Sequence, residues 1–170
     1  MPKINESHNA VYIGIDPGKS GGIVAIDGNE VFAVPMPATE KDVWECISEI
    51  VSRTVYNGAS NIHAVIEKVH ALPNQGMPGM FKFGVGYGGL RMALIATSAP
   101  FEEVPPIVWM RALGIRPRGK SESKRDWKNR IRGKAQQLYP EVDVTLNTAD
   151  ALLIATYCKW KHEGTLSGFF

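Results

Sequence analysis

Three acidic residues stand where a predicted strand ends or a predicted helix begins. Asp16 follows the apolar run 11–15 and precedes Pro17 and Gly18, a pattern typical of a strand that leaves the core in a turn. Glu67 ends a second apolar run, and Asp150 opens a segment of small and apolar residues that predicts a packed helix. Carboxylate oxygens are the ligands that Mg²⁺ prefers, so the three acids predict a magnesium site.

Each acid also has a purely structural explanation. Asp16 could accept hydrogen bonds from the backbone of Lys19 and Ser20 in an Asx-turn, and Asp150 could complement the positive end of a helix dipole. The sequence leaves these explanations open for each residue taken singly. The three acids together favour a shared cation.

Four stretches of the chain resemble, in order and spacing, the motifs of the RuvC-type Holliday-junction resolvases of the RNase H-like superfamily. These stretches are residues 13–18, 20–22, 66–70 and 148–155. The middle of the chain, at 80–88 and 100–109, is similar to the shorter phage and bacterial members. The resemblance extends from about residue 11 to about residue 157.

The resemblance implies a fold, an activity and a set of ligands. The fold is α/β, an RNase H-like mixed five-stranded sheet flanked by helices. The activity is metal-dependent endodeoxyribonuclease cleavage of four-way (Holliday) DNA junctions by paired symmetric nicks, which leave 5′-phosphate and 3′-hydroxyl ends. Asp16, Glu67 and Asp150 hold two Mg²⁺ ions per active site, with Mn²⁺ as a substitute, and Lys120 or Lys124 contacts the phosphate near the scissile bond. Two symmetric nicks imply a homodimer with C2 symmetry.

Asn147 and His70 occupy positions at which the resembled enzymes usually carry functional residues. Asn147 stands three residues before Asp150, where the resembled enzymes usually have an acid or a histidine; its amide oxygen can bind Mg²⁺ but carries no charge. Either three carboxylates suffice, or Asn147 replaces a natural Asp in an inactivated protein.

His70 occupies a position where related enzymes often place an aromatic residue at the junction crossover, although it could also hydrogen-bond a loop carbonyl.

Positive charge is concentrated between residues 116 and 134. Nine basic and two acidic residues give this segment a charge of +7, so the rest of the chain, within a total of +2, carries −5. A basic segment beside an acidic centre is typical of a polyanion-binding protein. The alternative is a solvated helix face. We expect DNA contacts from Arg116, Arg118, Lys124, Arg125, Lys128 and Arg132.

The segment 76–89 combines six glycines with large apolar side chains, including Met77, Phe81 and Tyr87. Glycine allows close backbone approach, and apolar side chains can insert at unstacked bases. Three roles follow: a wedge that separates DNA strands, a dimer face, or helix packing within the chain with glycines at the crossing points. The sequence does not choose among them.

Hydrophobic periodicity predicts five strands and five helices. The predicted strands are 11–16, 21–26, 30–34, 62–67 and 101–104. The predicted helices are 39–56 with Thr39 as its cap, a helix from 79 or 83 to about 96, a short helix after 105–106, and the helices 121–139 and 148–161. They predict one domain over 11–162, with a flexible segment at 1–10 and a tail at 163–170.

Composition limits the class of protein. A length of 170 residues with 44% hydrophobic content is ordinary for one globular domain, and no apolar stretch approaches the roughly 20 residues that span a bilayer. No secretion signal precedes the first strand, so we expect a cytoplasmic protein. Cys46 and Cys158 are expected to be free thiols, without a zinc site.

Two other functions stay open at this point. The sequence Asp-Pro-Gly-Lys-Ser-Gly-Gly at 16–22 also resembles the phosphate loop of an actin- or sugar-kinase-like phosphotransferase, although that fold normally needs two such domains. The other possibility is a module that binds branched DNA without cutting it.

Overall fold

The computed structural model describes residues 10–56, 58, 61–69 and 76–166. The strands are β1 Ala10–Asp16, β2 Gly22–Asp27, β3 Glu30–Pro35, β4 Asn61–Glu67 and β5 Phe101–Val104. The helices are α1 Glu40–Tyr56, α2 Met77–Ala96, α3 Pro106–Ala112, α4 Lys124–Leu138 and α5 Ala149–His162. The predicted α/β class is confirmed.

The five strands form one mixed sheet in the order β3-β2-β1-β4-β5. The first three strands are an antiparallel meander, whereas β4 runs parallel to β1 and β5 runs parallel to β4. Because β1 and β4 are adjacent and parallel, their carboxyl ends lie at the same edge of the sheet. Asp16 and Glu67 are the last residues of these two strands, so the sheet brings them together.

Helices cover both faces of the sheet and divide the core in two. The first cluster lies between the sheet and α3, α4 and α5, and contains Trp109, Ile131 and Leu152. The second lies between the sheet and α1 and α2, and contains Ile47 and Leu94. Alternate residues of β1 point into opposite clusters, as expected for a strand buried on both faces.

Helix α5 lies unusually close to the central strand β1. A Cβ atom at Gly14 would collide with the backbone nitrogen of Ala155 and the backbone oxygen of Ala151. Only glycine fits on the strand side, and the helix presents small residues on its own side. This close contact fixes the N-terminal turn of α5, which carries Asp150, beside the end of β1.

The predicted boundaries need a few corrections. Helix α2 begins at Met77, earlier than predicted, and α4 begins at Lys124 because the Ser123 hydroxyl accepts a hydrogen bond from the Asp126 backbone at 3.1 Å. The predicted tail begins too early, since Leu166 is buried in the core. The predicted cap of α1 is confirmed: Thr39 Oγ1 accepts a hydrogen bond from the Asp42 backbone at 3.1 Å.

Packing between helices explains few of the glycines of α2. A Cβ atom at Gly79, Gly84, Gly86 or Gly88 would meet nothing within 4 Å, so these four glycines are not crossing points between helices within the described residues. Only Gly89 approaches another helix, at 3.4 Å from Glu40 Cγ. Glycine in a helix interior costs roughly 1 kcal/mol relative to alanine, and packing within the described residues does not offset that cost.

The described helices include none with the length and apolar character needed to cross a membrane. Cys46 and Cys158 are free thiols, as expected. Burial, as the largest cause, raises the pKa of Cys158 to about 12, so this thiol is unreactive at neutral pH.

Candidate active site

Three carboxylates converge at the edge of the sheet where β1 and β4 end. Asp16 and Glu67 occupy the strand ends, and Asp150 lies in the first turn of α5, which packs on β1. Asp150 is only 7% exposed, and the other two side chains are half-buried. The predicted grouping of Asp16, Glu67 and Asp150 therefore corresponds to one acidic centre.

The acidic centre disfavours the ionised form of two of its three carboxyl groups. Burial, followed by the negative charges of Asp150 and Glu67, raises the pKa of Asp16 to about 8, although the positive charge of Lys128 opposes this rise. Burial also raises the pKa of Glu67 to about 7, against the effect of a hydrogen bond from Trp109. A further cation would stabilise the ionised form of both acids.

Lys128 lies inside the acidic centre. Its Nζ atom is 2.6 Å from Asp150 Oδ2, and its side chain is only 27% exposed. Burial alone would lower the pKa of Lys128, but Asp150, followed by Asp16 and Glu67, raises it. The sequence predicts a DNA-phosphate contact for Lys128; in the structure its side chain pairs with a carboxylate of the acidic centre. Lys128 is one of nine basic residues in this segment, and no sequence pattern distinguishes it from the others.

Trp109 contacts the acidic centre from the core side. Its indole Nε1 donates a hydrogen bond to Glu67 Oε2 at 2.9 Å, and the residue is only 1% exposed. Helix α3 carries Trp109 into this position directly after β5, which pairs with β4 at Glu67. No sequence pattern indicates this contact, because Trp109 and Glu67 are 42 residues apart.

The Asx-turn that could explain Asp16 is not observed within the described residues. Within the described residues, no backbone hydrogen bond joins Lys19 or Ser20 to the Asp16 side chain; the turn is instead closed by the Gly21 N–H, which donates to the Gly18 carbonyl at 3.0 Å. Gly18 has φ = +112°, which favours glycine there. A Cβ atom on Gly21 would collide with the backbone oxygen of Asp16, so glycine is required there chiefly by the close approach of the Asp16 backbone.

The donor chemistry of this centre fits a hard divalent cation. It offers three carboxylates and no sulfur, burial chiefly raises the pKa values of Asp16 and Glu67, and Lys128 supplies a single positive charge. The side chains are not arranged as a finished ligand set: within the described residues, no three His, Cys, Asp or Glu side chains are grouped so as to hold one ion. Lys128 and Trp109 each occupy one carboxylate oxygen.

Asn147 lies in the turn before α5, and its side chain is exposed. A Cβ atom at Gly22 would be 2.9 Å from its backbone carbonyl, and Gly22 pairs with Asp16 in the sheet. The turn that carries Asn147 is therefore adjacent to the acidic centre. The hydroxyls of Thr145 and Thr148, 3.0 Å apart, hold this turn.

Part of the predicted DNA-binding segment has a structural role. Glu122 accepts hydrogen bonds from Arg130 Nε and Nη2, both at 2.9 Å, and lies 3.8 Å from Arg116 Nη1. The hydrogen bond from Arg130 is the largest cause that lowers the pKa of Glu122, to about 2. Arg132 Nε donates to the Val144 carbonyl at 2.8 Å, which ties α4 to the loop before α5. Arg116 and Arg132, both predicted DNA contacts, thus have partners in the protein.

The remaining bases of this segment are available to an external partner. Within the described part of the chain, no ion pair or hydrogen bond engages the side chains of Arg118, Lys120, Lys124, Arg125 and Lys134. Lys124 and Arg125 lie in the first turn of α4, where the helix dipole disfavours positive charge. Lys124 precedes Lys128 by one helical turn, so it lies on the face that leads to the acidic centre. His70 lies outside the described residues.

No protein-family model matches the sequence, and no curated protein sequence is significantly similar to it. Solved structures give a clear match. A structure of Thermus thermophilus RuvC in complex with a Holliday junction substrate has a TM-score of 0.59 and 18% sequence identity, over 91% of this chain and 97% of that chain. A second Thermus thermophilus RuvC structure has a TM-score of 0.58 and 19% identity over the same shares.

The chain thus has the RNase H-like fold seen in RuvC. The fold implied by the sequence motifs is confirmed.

The raised pKa values predict that the metal-free protein loses stability as the pH rises. In the unfolded chain Asp16 and Glu67 ionise near pH 4, whereas in the folded protein they keep their protons up to about pH 8 and about pH 7. The folded state binds more protons in this window. Their contribution to the free energy of unfolding is therefore full below about pH 4 and is lost as the pH rises through about 7 and 8.

Urea unfolding in the presence of a chelator, between about pH 5 and about pH 9, measures this loss. Asp16→Asn should remove part of the pH dependence, because one of the two titrating groups is gone. The control Asp143→Asn changes an exposed carboxylate and should follow the wild type. A wild-type stability that stays flat across this range would contradict the acidic centre described above.

Proposed function

We propose that this protein is a metal-dependent endodeoxyribonuclease that cuts four-way DNA junctions. The observation that carries the proposal is the buried acidic centre of Asp16, Glu67 and Asp150 at the strand ends of a RuvC-like fold. Lys128 is a single positive partner for three carboxylates, and a bound cation would stabilise the ionised forms of the other two. The positively charged first turn of α4 beside this centre supports a polyanionic substrate.

In this proposal Asp16, Glu67 and Asp150 hold Mg²⁺. When bound, Mg²⁺ activates water for attack on the phosphodiester and stabilises the leaving oxygen. Lys128 holds Asp150 in place and keeps one positive charge in the centre for an incoming phosphate. Burial of the centre strengthens each of these electrostatic interactions relative to water.

The bases without protein partners would contact the phosphate backbone on the approach to the centre. Lys120, Lys124 and Arg125 are exposed and lie on the segment that leads to Lys128. Phosphate contacts of this kind position the substrate but do not select a base sequence. The shape of a four-way junction would then decide which phosphate reaches the acidic centre.

We also propose a homodimer that uses one face of α2. Five large apolar side chains on this helix are exposed and repeat at intervals of three, four or seven residues: Met77, Phe81, Val85, Met92 and Ile95. Gly84 and Gly88 lie in the same stripe, with nothing within 4 Å of a Cβ atom at either position. A second copy of α2 could approach closely there, which would account for glycines that no contact within the described chain explains.

One alternative has specific support. Asn147 brings no charge, and Lys128 occupies one oxygen of Asp150, so the chain could bind branched DNA without cutting it. A junction-cleavage assay with and without Mg²⁺ separates the two functions. A non-cleaving binder would retain the junction but never nick it, and Asn147→Asp would restore cleavage if the lost charge were the reason. The phosphotransferase alternative gains no support, since the described residues form one sheet and that fold normally needs two such domains.

The first prediction concerns cleavage. Asp16→Asn should slow junction nicking in Mg²⁺ by more than about 100-fold, the upper range for loss of a partner that only orients a metal ligand. Junction binding should be kept or tightened, because a negative charge near the phosphate is removed. Rates come from gel analysis of a labelled four-way junction. Asp143→Asn should cut like the wild type, and equal cleavage by Asp16→Asn would overturn the metal role of Asp16.

The second prediction concerns the basic turn of α4. Lys124→Ala and Arg125→Ala should each reduce the slope of log affinity against log salt by roughly 0.9, the value for one lost phosphate contact on duplex DNA. Fluorescence anisotropy at several salt concentrations gives the slope. Arg53→Ala is the matched control, because Arg53 lies on α1 and pairs with Glu49 at 2.6 Å. If the salt slope changes in neither variant, the first turn of α4 is a solvated surface that does not contact DNA phosphates.

The third prediction concerns the dimer. Val85→Glu places a charge in the apolar stripe of α2 and should convert the dimer to a monomer, as measured by sedimentation equilibrium. Val55→Glu, an equal change at an exposed position of α1, should leave the mass unchanged. A wild type that is monomeric at high concentration, or a Val85→Glu variant that stays dimeric, would exclude this face as the interface.

A further inference from the structure

The indole N–H of Trp109 is directed from the core at the acidic centre. Trp109 is 1% exposed and packs among the residues between the sheet and α3, α4 and α5. A buried indole N–H without an acceptor would cost roughly 1 to 3 kcal/mol. Its acceptor here is Glu67 Oε2, at 2.9 Å, so the core and the acidic centre share this hydrogen bond.

Backbone structure fixes both ends of the hydrogen bond. Glu67 pairs with Val104 in the sheet, and the next residue, Lys68, donates its N–H to the Val104 carbonyl at 2.8 Å. Two residues after Val104, Pro106 begins α3, and Trp109 follows within the first turn. The indole therefore has little freedom to move away from Glu67.

The two protein partners of the acidic centre, Trp109 and Lys128, differ in charge. Lys128 gives Asp150 a positive partner, which competes with a cation for the same carboxylate. The indole of Trp109 is neutral, so it fixes Glu67 without neutralising it. A neutral donor that holds one oxygen leaves the full negative charge of the carboxylate available to a cation at the other oxygen.

We propose that Trp109 is a positioning residue that holds Glu67 Oε2, so that Glu67 offers only its Oε1 atom to a divalent cation. This inference rests on the proposed function, because it assigns a task to Glu67 within that metal site. Trp109 itself touches neither substrate nor metal. It acts through the orientation of the Glu67 carboxylate.

The test is the affinity for Mn²⁺, measured by isothermal titration calorimetry without DNA. Trp109→Phe keeps an aromatic ring in the core and removes the N–H donor. It should weaken Mn²⁺ binding by about 10- to 100-fold, the range for loss of a partner that orients a metal ligand. Trp160→Phe is the matched control: Trp160 packs against the same core cluster, and it should leave Mn²⁺ affinity unchanged.

A second measurement does not depend on metal or on the folding of the Trp109 variant. In the ¹⁵N-labelled, metal-free protein, Glu67→Gln should shift one of the four indole N–H resonances, because the carboxyl acceptor of Trp109 is replaced by an amide. Asp143→Asn should shift none of them. Four unchanged indole resonances in Glu67→Gln would overturn the contact itself.

The outcomes separate this inference from the proposed function. If Trp109→Phe and Trp160→Phe both bind Mn²⁺ like the wild type, Trp109 has no positioning role, while the metal site stands. If the wild type binds no Mn²⁺, the proposed function and the positioning role both fail. Weaker Mn²⁺ binding by Trp109→Phe but not by Trp160→Phe, together with a shifted indole resonance in Glu67→Gln, supports the proposal.

Discussion

The contact between α5 and β1 is the constraint on which the acidic centre depends. Gly14 leaves no room for a Cβ atom, because the backbone of α5 at Ala151 and Ala155 already occupies that space. The helix can therefore start beside the end of β1, and its first turn brings Asp150 to Asp16. A larger residue at Gly14 would push the helix outward, and Asp150 with it. The spacing of the carboxylates is thus set by backbone packing rather than by their own interactions.

This geometry has an electrostatic cost. Three carboxylates share a half-buried region with one lysine, and burial together with mutual repulsion raises the pKa values of Asp16 and Glu67. A structural role would be served better by apolar residues at the same positions. The arrangement stores unfavourable interactions that a bound cation would relieve, which is typical of functional sites. Lys128 and Trp109 keep the carboxylates in place, the first with a charge and the second without one.

The sequence predicted the strands, the fold class and the convergence of the three acids, because periodicity and turn residues mark strand ends directly. It could not predict which bases face inward. Lys128 and Lys124 look alike in the sequence, yet only the packing of α4 on α5 directs Lys128 to Asp150. The bond between Trp109 and Glu67 joins residues distant in sequence, so it depends on tertiary structure alone. The start of α2 was misplaced because its glycines weaken the helical signal, although the helix continues through them.

The central claim is that Asp16, Glu67 and Asp150 together hold a divalent cation. Anomalous diffraction from crystals soaked in Mn²⁺ tests it most directly, because manganese can be located without assumptions about its ligands. The account predicts an anomalous peak within about 2.5 Å of oxygens from all three carboxylates, the upper range for hard-cation coordination. The same soak of Asp16→Asn crystals should give a weak peak or none. A wild-type crystal with no peak between these side chains would contradict the account.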